Sequence, residues 1–345
     1  MSKKVRLGIV FGGQSGEHEI SLRSAQSVMA AIDRSKYEIV PIAITKSGTW
    51  LSSERALTLA DPDEQITETF KSGVPIVFSP RETGELLLDV VFPLLHGPMG
   101  EDGTVQGFLE MVGLPYVGAG VLGSAVGMDK DLMKRIIASA GLPTVEYWSL
   151  RVSQIEDFAK KRSKDLPYPV FVKPANLGSS VGITKVYSPE GLQDALLVAG
   201  EHDRKLIVEQ GVEAREIEVS VIGNEDPIAS VPGEIRPSGE FYDYQSKYVD
   251  DSELIIPAPL TEEQRNESRR LAVETYKVLE CAGMGRVDLF LESNTERFFV
   301  NELNTIPGFT SISMYPRLWE ASGISYQELI DNLIDLAFQR GKGHS

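Results

Sequence analysis

About the first 125 residues alternate between short apolar runs and stretches with helical spacing, and this alternation constrains the fold more than any other feature of the chain. The run VRLGIVF is followed by GGQSGE and then by apolar residues on one helix face, at Ile20, Ala25, Val28, Met29 and Ile32. Strand-like runs return in EIVPIAI, LDVVFPLL and LPYVGAG. This pattern predicts an open α/β sheet of mostly parallel strands, which binds ligands at the carboxyl ends of its strands.

Beyond Met128 the pattern changes. A helix is predicted in MDKDLMKRIIASAG, and strands are predicted on both sides of the turn in YPVFVKPANLGSSVGITKV and again in KLIVEQGVEAREIEVSVIG. These elements predict an α+β lobe. A tyrosine-rich polar segment over residues 233–260 is too irregular for a regular element and too long for an ordinary connection, which is typical of a lid. A helix in TEEQRNESRRLAVETYKVLECAGM, a hairpin and a C-terminal helix follow.

The hairpin sequence GRVDLFLESNTERFFVNELN carries acids where a buried hairpin needs only apolar residues. Residues two apart in a strand share a face. Glu302 and Asn304 therefore point the same way, and Arg286 and Asp288 share one face of the partner strand. The hairpin register then decides whether these side chains meet.

If the hairpin loop is NTE, Ser293 pairs with Arg297 and Asp288 lies opposite Glu302. About 5 Å would then separate the two carboxylates. Like charges so close need a cation, and carboxylate and amide oxygens suit magnesium. A solvated strand face, with Arg286 paired to Asp288, explains the same residues, because charged strand faces are common. From the hairpin alone both interpretations stay open.

Composition excludes several classes of partner. The chain has 50 acidic and 34 basic residues, and its formal charge of −16 disfavours binding to nucleic acids and to anionic membranes. A single cysteine, Cys281, and four histidines allow neither an internal disulfide nor a zinc cluster, which predicts a reducing, cytoplasmic location. The N-terminal stretch lacks a cleavage site of the signal-peptide type, and no apolar run reaches the roughly 18 residues of a membrane span.

Two lysines are candidates for phosphate binding. Lys173 ends the strand YPVFVKP, and the following NLGSSVG offers backbone N–H groups and hydroxyls of the kind that cover phosphates. Lys130 lies early in the helix that follows Gly127. No GxxxxGK[ST] motif is present, which disfavours a P-loop ATPase, and an isolated lysine is usually a surface residue.

A rival motif is GAGVLG at residues 118–123, which matches the GxGxxG pattern of dinucleotide-binding proteins. It lies far from the first strand-to-helix turn, and Leu142 and Pro143 stand where an acid should close a second strand. We therefore interpret Gly118, Gly120 and Gly123 as turn glycines. A nicotinamide-dependent oxidoreductase remains the alternative in another enzyme class.

Taken together, these stretches resemble the ATP-grasp ligases, and within them the D-alanine–D-alanine ligase family, nearly end to end. The matching motifs are GGQSGEHEIS at 12–21, LHGPMGEDGTVQG at 95–107, GMDK at 127–130, FVKPANLGSSVG at 171–182, VEQGVEAREIEVSV at 208–221, FYDYQSKY at 241–248, GRVDLF at 285–290 and NELNTIPGFTSIS at 301–313. Several long motifs in one order are more specific than any single glycine loop.

The resemblance implies a three-domain ATP-grasp fold that combines α/β and α+β parts. We expect an N-terminal Rossmann-like domain with a parallel sheet over residues 1–127 and a central ATP-grasp lobe over 128–212. A C-terminal lobe over 213–345 would contain the lid at 233–260 and the metal-binding hairpin. The family also implies a homodimer whose partners are small molecules, with neither nucleic acid nor membrane.

The resemblance further implies a nucleotide site between the two ATP-grasp lobes. Two magnesium ions, for which manganese may substitute, would be bound by Asp288, Glu302 and Asn304. The backbone of residues 209–212 would hold adenine, and Glu216 would hold the ribose hydroxyls. The full set of residues assigned to ATP is Lys130, Lys173, Ser179, Ser180, Glu209, Gln210, Val212, Glu216, Phe241 and Lys247.

The implied reaction joins two D-alanines through an acyl phosphate. The carboxylate of the first would attack the γ-phosphate of ATP, and the amine of the second would then attack the acyl carbon. Glu17 and His96 would bind the first D-alanine, and Lys247 and Ser313 the second. The residues assigned to catalysis are Glu17, Ser179, Tyr248, Arg286 and Gly308, the last two as donors to the developing oxyanion. Alternatives within the fold are D-lactate or D-serine as second substrate, or a binding module without turnover.

Overall fold

The computed structural model describes residues 3–52, 56, 88–178, 181–236 and 253–342, which form three β-sheets with packed helices. The strands are β1 (Val5–Gly12), β2 (Tyr37–Ile44), β3 (Trp50–Ser52), β4 (Val90–Leu94), β5 (Tyr147–Arg151), β6 (Val170–Pro174), β7 (Thr184–Val186), β8 (Lys205–Gln210), β9 (Ala214–Gly223), β10 (Ile228–Ala229), β11 (Gly233–Arg236), β12 (Glu253–Ile255), β13 (Gly283–Glu292) and β14 (Phe298–Asn304). The α-helices are α1 (His18–Ala31), α2 (Thr104–Met111), α3 (Val121–Met128), α4 (Lys130–Ser139), α5 (Ile155–Arg162), α6 (Leu192–Gly200), α7 (Glu262–Val278), α8 (Met314–Ala321) and α9 (Tyr326–Lys342).

The first sheet has the order β3-β2-β1-β4, with β1 parallel to both β2 and β4. The predicted parallel α/β sheet is therefore confirmed, and among its described strands only the edge strand β3 is antiparallel. The strand predicted in LPYVGAG was wrong: Tyr116 makes only an isolated bridge to Val91. Gly118, with φ of +98°, turns the chain before a strand can extend.

The GAGVLG stretch serves packing. A β-carbon on Gly123 would lie 2.6 Å from the backbone oxygen of Glu280, so α3 can approach the chain before β13 only with glycine there. Gly118 does turn the chain, but Gly123 lies inside α3, so its interpretation as a turn glycine was wrong.

The second sheet, β5-β8-β6-β7, is antiparallel, and the third runs β12-β11-β9-β13-β14 with β10 beside β9. The chain passes from the second sheet to the third between Gln210 and Ala214. Met133 and Ile137 of α4 pack in the core of the third sheet, although α4 leads directly into β5 of the second. The domain boundaries at 127 and 212 stay predictions.

The hairpin of β13 and β14 differs from its predicted loop. Leu291 pairs with Phe298 and the N–H of Glu292 donates to Arg297, so SNTE rather than NTE forms the turn. A register shift then leaves Asn301 without an opposite residue, as in a β-bulge. The two one-residue offsets cancel, and Asp288 pairs with Glu302 as predicted.

The tyrosine-rich segment is more regular at its ends than the sequence indicates. Residues 233–236 and 253–255 are β11 and β12, which pair antiparallel at the edge of the third sheet. Residues 237–252 between them lie outside the described part of the chain, so the lid itself stays a prediction.

Cys281 is buried and forms no disulfide. In the part of the chain that the structure describes, no helix is both long and apolar enough to cross a membrane.

Candidate active site

A cleft of about 910 Å³ lies where the carboxyl ends of the first sheet face the hairpin and the loop before α8. Its lining brings together eight of the predicted site residues from separate parts of the sequence: Glu17, His96, Lys130, Arg286, Glu302, Asn304, Gly308 and Ser313. Lys173, Glu209 and Glu216 do not belong to this lining, and Lys173 and Glu209 belong to a second group of charges, described below.

Glu17 is held at the start of α1, directly after the glycine turn that ends β1. Its carboxylate lies against two glycine backbones, because a β-carbon on Gly97 would be 2.9 Å from Oε2 and one on Gly178 would be 3.3 Å away. Gly97 also has φ of +76°, a conformation that other residues rarely adopt. The acid therefore projects into the cleft beside the turn that precedes Ser179.

His96 follows β4 and is 4% exposed. Its Nδ1 lies 3.1 Å from the Ile306 carbonyl, which can only accept, so Nδ1 carries the proton. Burial lowers the pKa of the ring and keeps it neutral, although Glu17 opposes this effect. Nε2 then accepts from the Ser24 hydroxyl at 3.1 Å, and Ser24 Oγ accepts from the Phe309 N–H at 3.4 Å.

Both ring nitrogens of His96 are thus engaged with α1 and with the loop that carries Gly308. The predicted contact of His96 with the first D-alanine is untested. The observed bonds position the loop over residues 305–309 against the first sheet.

Glu101 is a residue of this cleft to which the sequence analysis assigned no role. Its carboxylate accepts from the Gly97 N–H at 3.0 Å, and the negative charges of Glu17 and Glu302 repel it. Removal from bulk water, followed by the charge of Glu17, raises the pKa of Glu101 well above its ordinary value, against the effect of Lys130. The adjacent acids Glu101 and Asp102 in LHGPMGEDG were the feature of the sequence that could have indicated a role for Glu101.

The predicted metal ligands are paired with cations of the same cleft. Asp288 accepts from Arg286 Nε at 2.7 Å and from Arg286 Nη2 at 2.8 Å, and from the Asn304 amide at 2.8 Å. Glu302 forms an ion pair with Lys130 at 3.3 Å. The pairing of Arg286 with Asp288 is the one that the alternative interpretation of the hairpin predicts, and the metal interpretation stays a prediction.

This donor set fits a hard divalent cation. Two carboxylates from paired strands and one amide oxygen are what magnesium takes from proteins, provided that Asn304 presents its oxygen and the carboxylates exchange their present partners. Among the described residues, no group of three or more His, Cys, Asp or Glu side chains is already arranged around a metal position. Asp288 and Glu302 are held instead by their ion pairs with Arg286 and Lys130.

A second group of charges lies between the second and third sheets. The Glu209 carboxylate forms ion pairs with both Lys173 and Lys134, and Lys134 also donates to the Asn301 carbonyl at 3.3 Å. Burial opposes ionisation of Glu209, but the two ammonium groups outweigh it and lower the pKa of this carboxyl to about 2. Burial lowers the pKa of Lys134. No role of Lys134 is predicted from the sequence.

The segment predicted to hold adenine has most of its N–H groups in use. Glu209 pairs with both neighbouring strands, and the N–H groups of Gln210 and Gly211 donate to Glu146 and Pro169. Of the hydrogen bonds between described residues, none uses the Val212 N–H. Glu216, predicted to bind ribose, lies partly buried on β9 on the same strand face as Glu218.

The loop before α8 places two predicted groups side by side. A β-carbon on Gly308 would lie 3.2 Å from Ser313 Oγ, which accepts from the Thr310 N–H at 3.1 Å. Ser313 is the N-cap of α8, and helix N-termini favour anions such as a carboxylate. Five further predicted residues lie outside the described part of the chain, so their roles stay predictions: Ser179, Ser180, Phe241, Lys247 and Tyr248.

Comparisons with known proteins identify the family of the chain. The model of the D-ala D-ala ligase N-terminus matches residues 6–119, and that of the D-ala D-ala ligase C-terminus matches residues 136–335. A D-alanine–D-alanine ligase of Thermoanaerobacter sp. (strain X514) is 52% identical over 98% of this chain and 97% of its own length. One of Solibacter usitatus is 50% identical over 98% and 96%.

Solved structures give the same result. The D-alanine–D-alanine ligase of Coxiella burnetii has a TM-score of 0.82 at 35% identity, covering 99% of this chain and 96% of that one. The VanG D-Ala:D-Ser ligase of Enterococcus faecalis has a TM-score of 0.85 at 36% identity, covering 97% and 100%. Both fall in the ATP-grasp class that the motifs predict. The chain therefore belongs to the D-alanine–D-alanine ligase family.

Proposed function

We propose that this chain joins two D-alanines to D-alanyl-D-alanine, with conversion of ATP to ADP and phosphate, as a step in peptidoglycan precursor synthesis. The observation that carries the proposal is the lining of one cleft. An acid at Glu17, two cations at Lys130 and Arg286, and a helix N-terminus at Ser313 together match the charges of two amino acids and a phosphate.

In the first step the carboxylate of the first D-alanine attacks the γ-phosphate of ATP, the bond to the β-phosphate breaks and ADP leaves. Glu17 holds the substrate ammonium and thereby orients its carboxylate. Both reacting groups are anions, so Lys130 and Lys173 offset their repulsion, which is the main task in phosphoryl transfer. Magnesium, held by Asp288, Glu302 and Asn304, supplies further positive charge when bound.

In the second step the amine of the second D-alanine, which has given one proton to solvent, attacks the acyl carbon. The bond from that carbon to the phosphate oxygen then breaks, and the departing phosphate takes up the proton that the nitrogen loses as the amide forms. Ser313 at the start of α8 receives the carboxylate of this second substrate. Arg286 and the Gly308 N–H donate to the oxygen that becomes negative in the tetrahedral intermediate. Loss of one such donor typically slows an enzyme by about 10²–10³-fold.

An acyl phosphate hydrolyses readily, so the site must be closed against water. We propose that it is closed by the lid residues Lys247 and Tyr248 and by the loop with Ser179 and Ser180. We further propose that the chain forms a homodimer, as the family implies. The one cysteine, Cys281, is buried and unpaired, which supports a cytoplasmic location.

The test is phosphate release from ATP and magnesium at neutral pH with D-alanine, with L-alanine, and with D-alanine mixed with D-lactate or D-serine, followed by mass spectrometry of the products. We expect release with D-alanine and the dipeptide as product. No release with D-alanine contradicts the proposal. A mixed product that dominates at equal concentrations assigns the chain to the D-serine or D-lactate specificity. Nicotinamide binding that is lost in Gly120→Val, without phosphate release, assigns it to the oxidoreductases.

A further inference from the structure

A third carboxylate stands in one row with the two acids of the hairpin. Glu218 on β9 pairs across the sheet with Asp288 on β13, and Asp288 pairs with Glu302 on β14. Glu218 is 3% exposed and lines the cleft. Its strand neighbours Ile217 and Val219 face the apolar core, so Glu218 points to the opposite, cleft-facing side.

Glu218 and Asp288 flank one guanidinium. Arg286 Nε lies 2.9 Å from Glu218 Oε2 and 2.7 Å from Asp288 Oδ1, and Arg286 Nη2 lies 2.8 Å from Asp288 Oδ2. Asp288 thus directs both of its oxygens to Arg286. Arg286 is partly buried, and a cation withdrawn from water needs such partners, because removing a partner of a buried ion pair is strongly unfavourable.

The two roles proposed for Asp288 and Arg286 conflict in this arrangement. A divalent cation bound to Asp288 draws on the same carboxylate oxygens that now accept from Arg286, and its charge repels the guanidinium. Arg286 must then stay oriented for the oxyanion while its closest partner is engaged elsewhere. Glu218, on the other side of Arg286 Nε, is placed to retain it.

We propose that Glu218 is a positioning residue that holds Arg286 when the metal engages Asp288. This inference rests on the proposed function. Glu218 makes Asp288 available to the metal by sharing the charge of Arg286, and through Nε it keeps Arg286 in the cleft. Without Glu218, Arg286 is attracted more strongly to Asp288 and competes with the metal for it.

The experiment is a titration of Mn²⁺ into the full chain with ADP, followed by electron paramagnetic resonance of free Mn²⁺, which needs no turnover. We expect Glu218→Gln to raise the Kd for Mn²⁺ about tenfold, and the double variant Glu218→Gln with Arg286→Met to restore it, because the competing cation is then gone. The matched control is Glu234→Gln, which also removes a buried carboxylate paired with arginines, Arg215 and Arg236. Its Kd for Mn²⁺ should stay unchanged.

An unchanged Kd in folded Glu218→Gln overturns the inference, as does a double variant that binds Mn²⁺ as weakly as the single one. If Glu218→Gln does not fold, Glu218→Asp keeps the charge on a shorter side chain. Glu218→Asp should raise the Kd for Mn²⁺ by less than tenfold. A Kd equal to that of the unmodified chain contradicts the proposal. If Mn²⁺ binds as expected but D-alanine causes no phosphate release, the proposed function fails while the relation between Glu218, Arg286 and Asp288 stands.

Discussion

Replacing Lys134 with methionine should weaken the binding of ATP, although Lys134 lies outside the lining of the main cleft. The change keeps the length of the side chain and removes its charge. The Lys134 side chain is 1% exposed, and its ammonium shares the Glu209 carboxylate with Lys173. With Lys134 gone, Glu209 has one cation fewer and attracts Lys173 more strongly, so Lys173 is less available to a phosphate.

The magnitude follows from these contacts. A hydrogen bond to a charged group contributes about 1.5–3 kcal/mol net. Part of this loss is offset, because methionine has no charge that must be removed from water on folding. Lys173 still neutralises Glu209, so the loss stays below the roughly 3–5 kcal/mol of an unpaired buried charge. We expect Lys134→Met to reduce the free energy of unfolding by about 1–2 kcal/mol, and to raise the Kd of ATP about tenfold, which corresponds to about 1.4 kcal/mol.

Urea unfolding and calorimetric titration with a non-hydrolysable ATP analogue measure the two effects. The control is Lys161→Met, since Lys161 forms an exposed i,i+4 pair with Asp157 that should contribute about 0.3–0.5 kcal/mol. An ATP affinity that is unchanged or higher in folded Lys134→Met would refute the assignment of Lys173 to the phosphates.

Three further predictions concern the main cleft. Glu302→Gln should keep the fold but lower turnover by at least about 10²-fold and require more magnesium, because one ligand charge is lost; near-normal steady-state kinetics would refute the metal assignment. Ser24→Ala removes the donor to His96 and should lower kcat about tenfold, with a stability loss of about 1–2 kcal/mol by thermal unfolding; an unchanged kcat would show that the loop over residues 305–309 does not depend on this bond. Folding raises the pKa of Glu101, so the contribution of Glu101 to the free energy of unfolding is full at low pH and declines as the pH rises above its unfolded pKa of roughly 4.3. Glu101→Gln should therefore become less destabilising between pH 5 and pH 8 in urea unfolding. A difference in unfolding free energy that does not change with pH would contradict this.

Much of the fold could be predicted from the sequence, because its signals are local. Apolar periodicity identified the parallel sheet. Alternation along single strands put Arg286 on one face with Asp288, and the predicted register set Asp288 opposite Glu302. Their pairing was also right, but only because the longer turn and the bulge at Asn301 shift the register by equal and opposite amounts. A bulge depends on the packing of both faces and leaves no clear local signal.

The residues that sequence reasoning missed depend on contacts between distant segments. Glu218 enters the acidic row only because β9 lies beside β13, some 70 residues later in the chain. Lys134 lies one helical turn after Lys130 but points to Glu209 rather than into the main cleft. Nothing along the chain reports which strands will be neighbours, so the row of acids and the shared lysine pair became visible only in the folded structure.

The most direct test of the proposed chemistry uses D-alanine labelled with ¹⁸O in its carboxylate. If that carboxylate attacks the γ-phosphate and the acyl phosphate is then opened by an amine at carbon, one labelled oxygen passes to inorganic phosphate for each dipeptide formed. We predict phosphate with one ¹⁸O atom by mass spectrometry. Unlabelled phosphate released together with dipeptide would contradict the acyl-phosphate route.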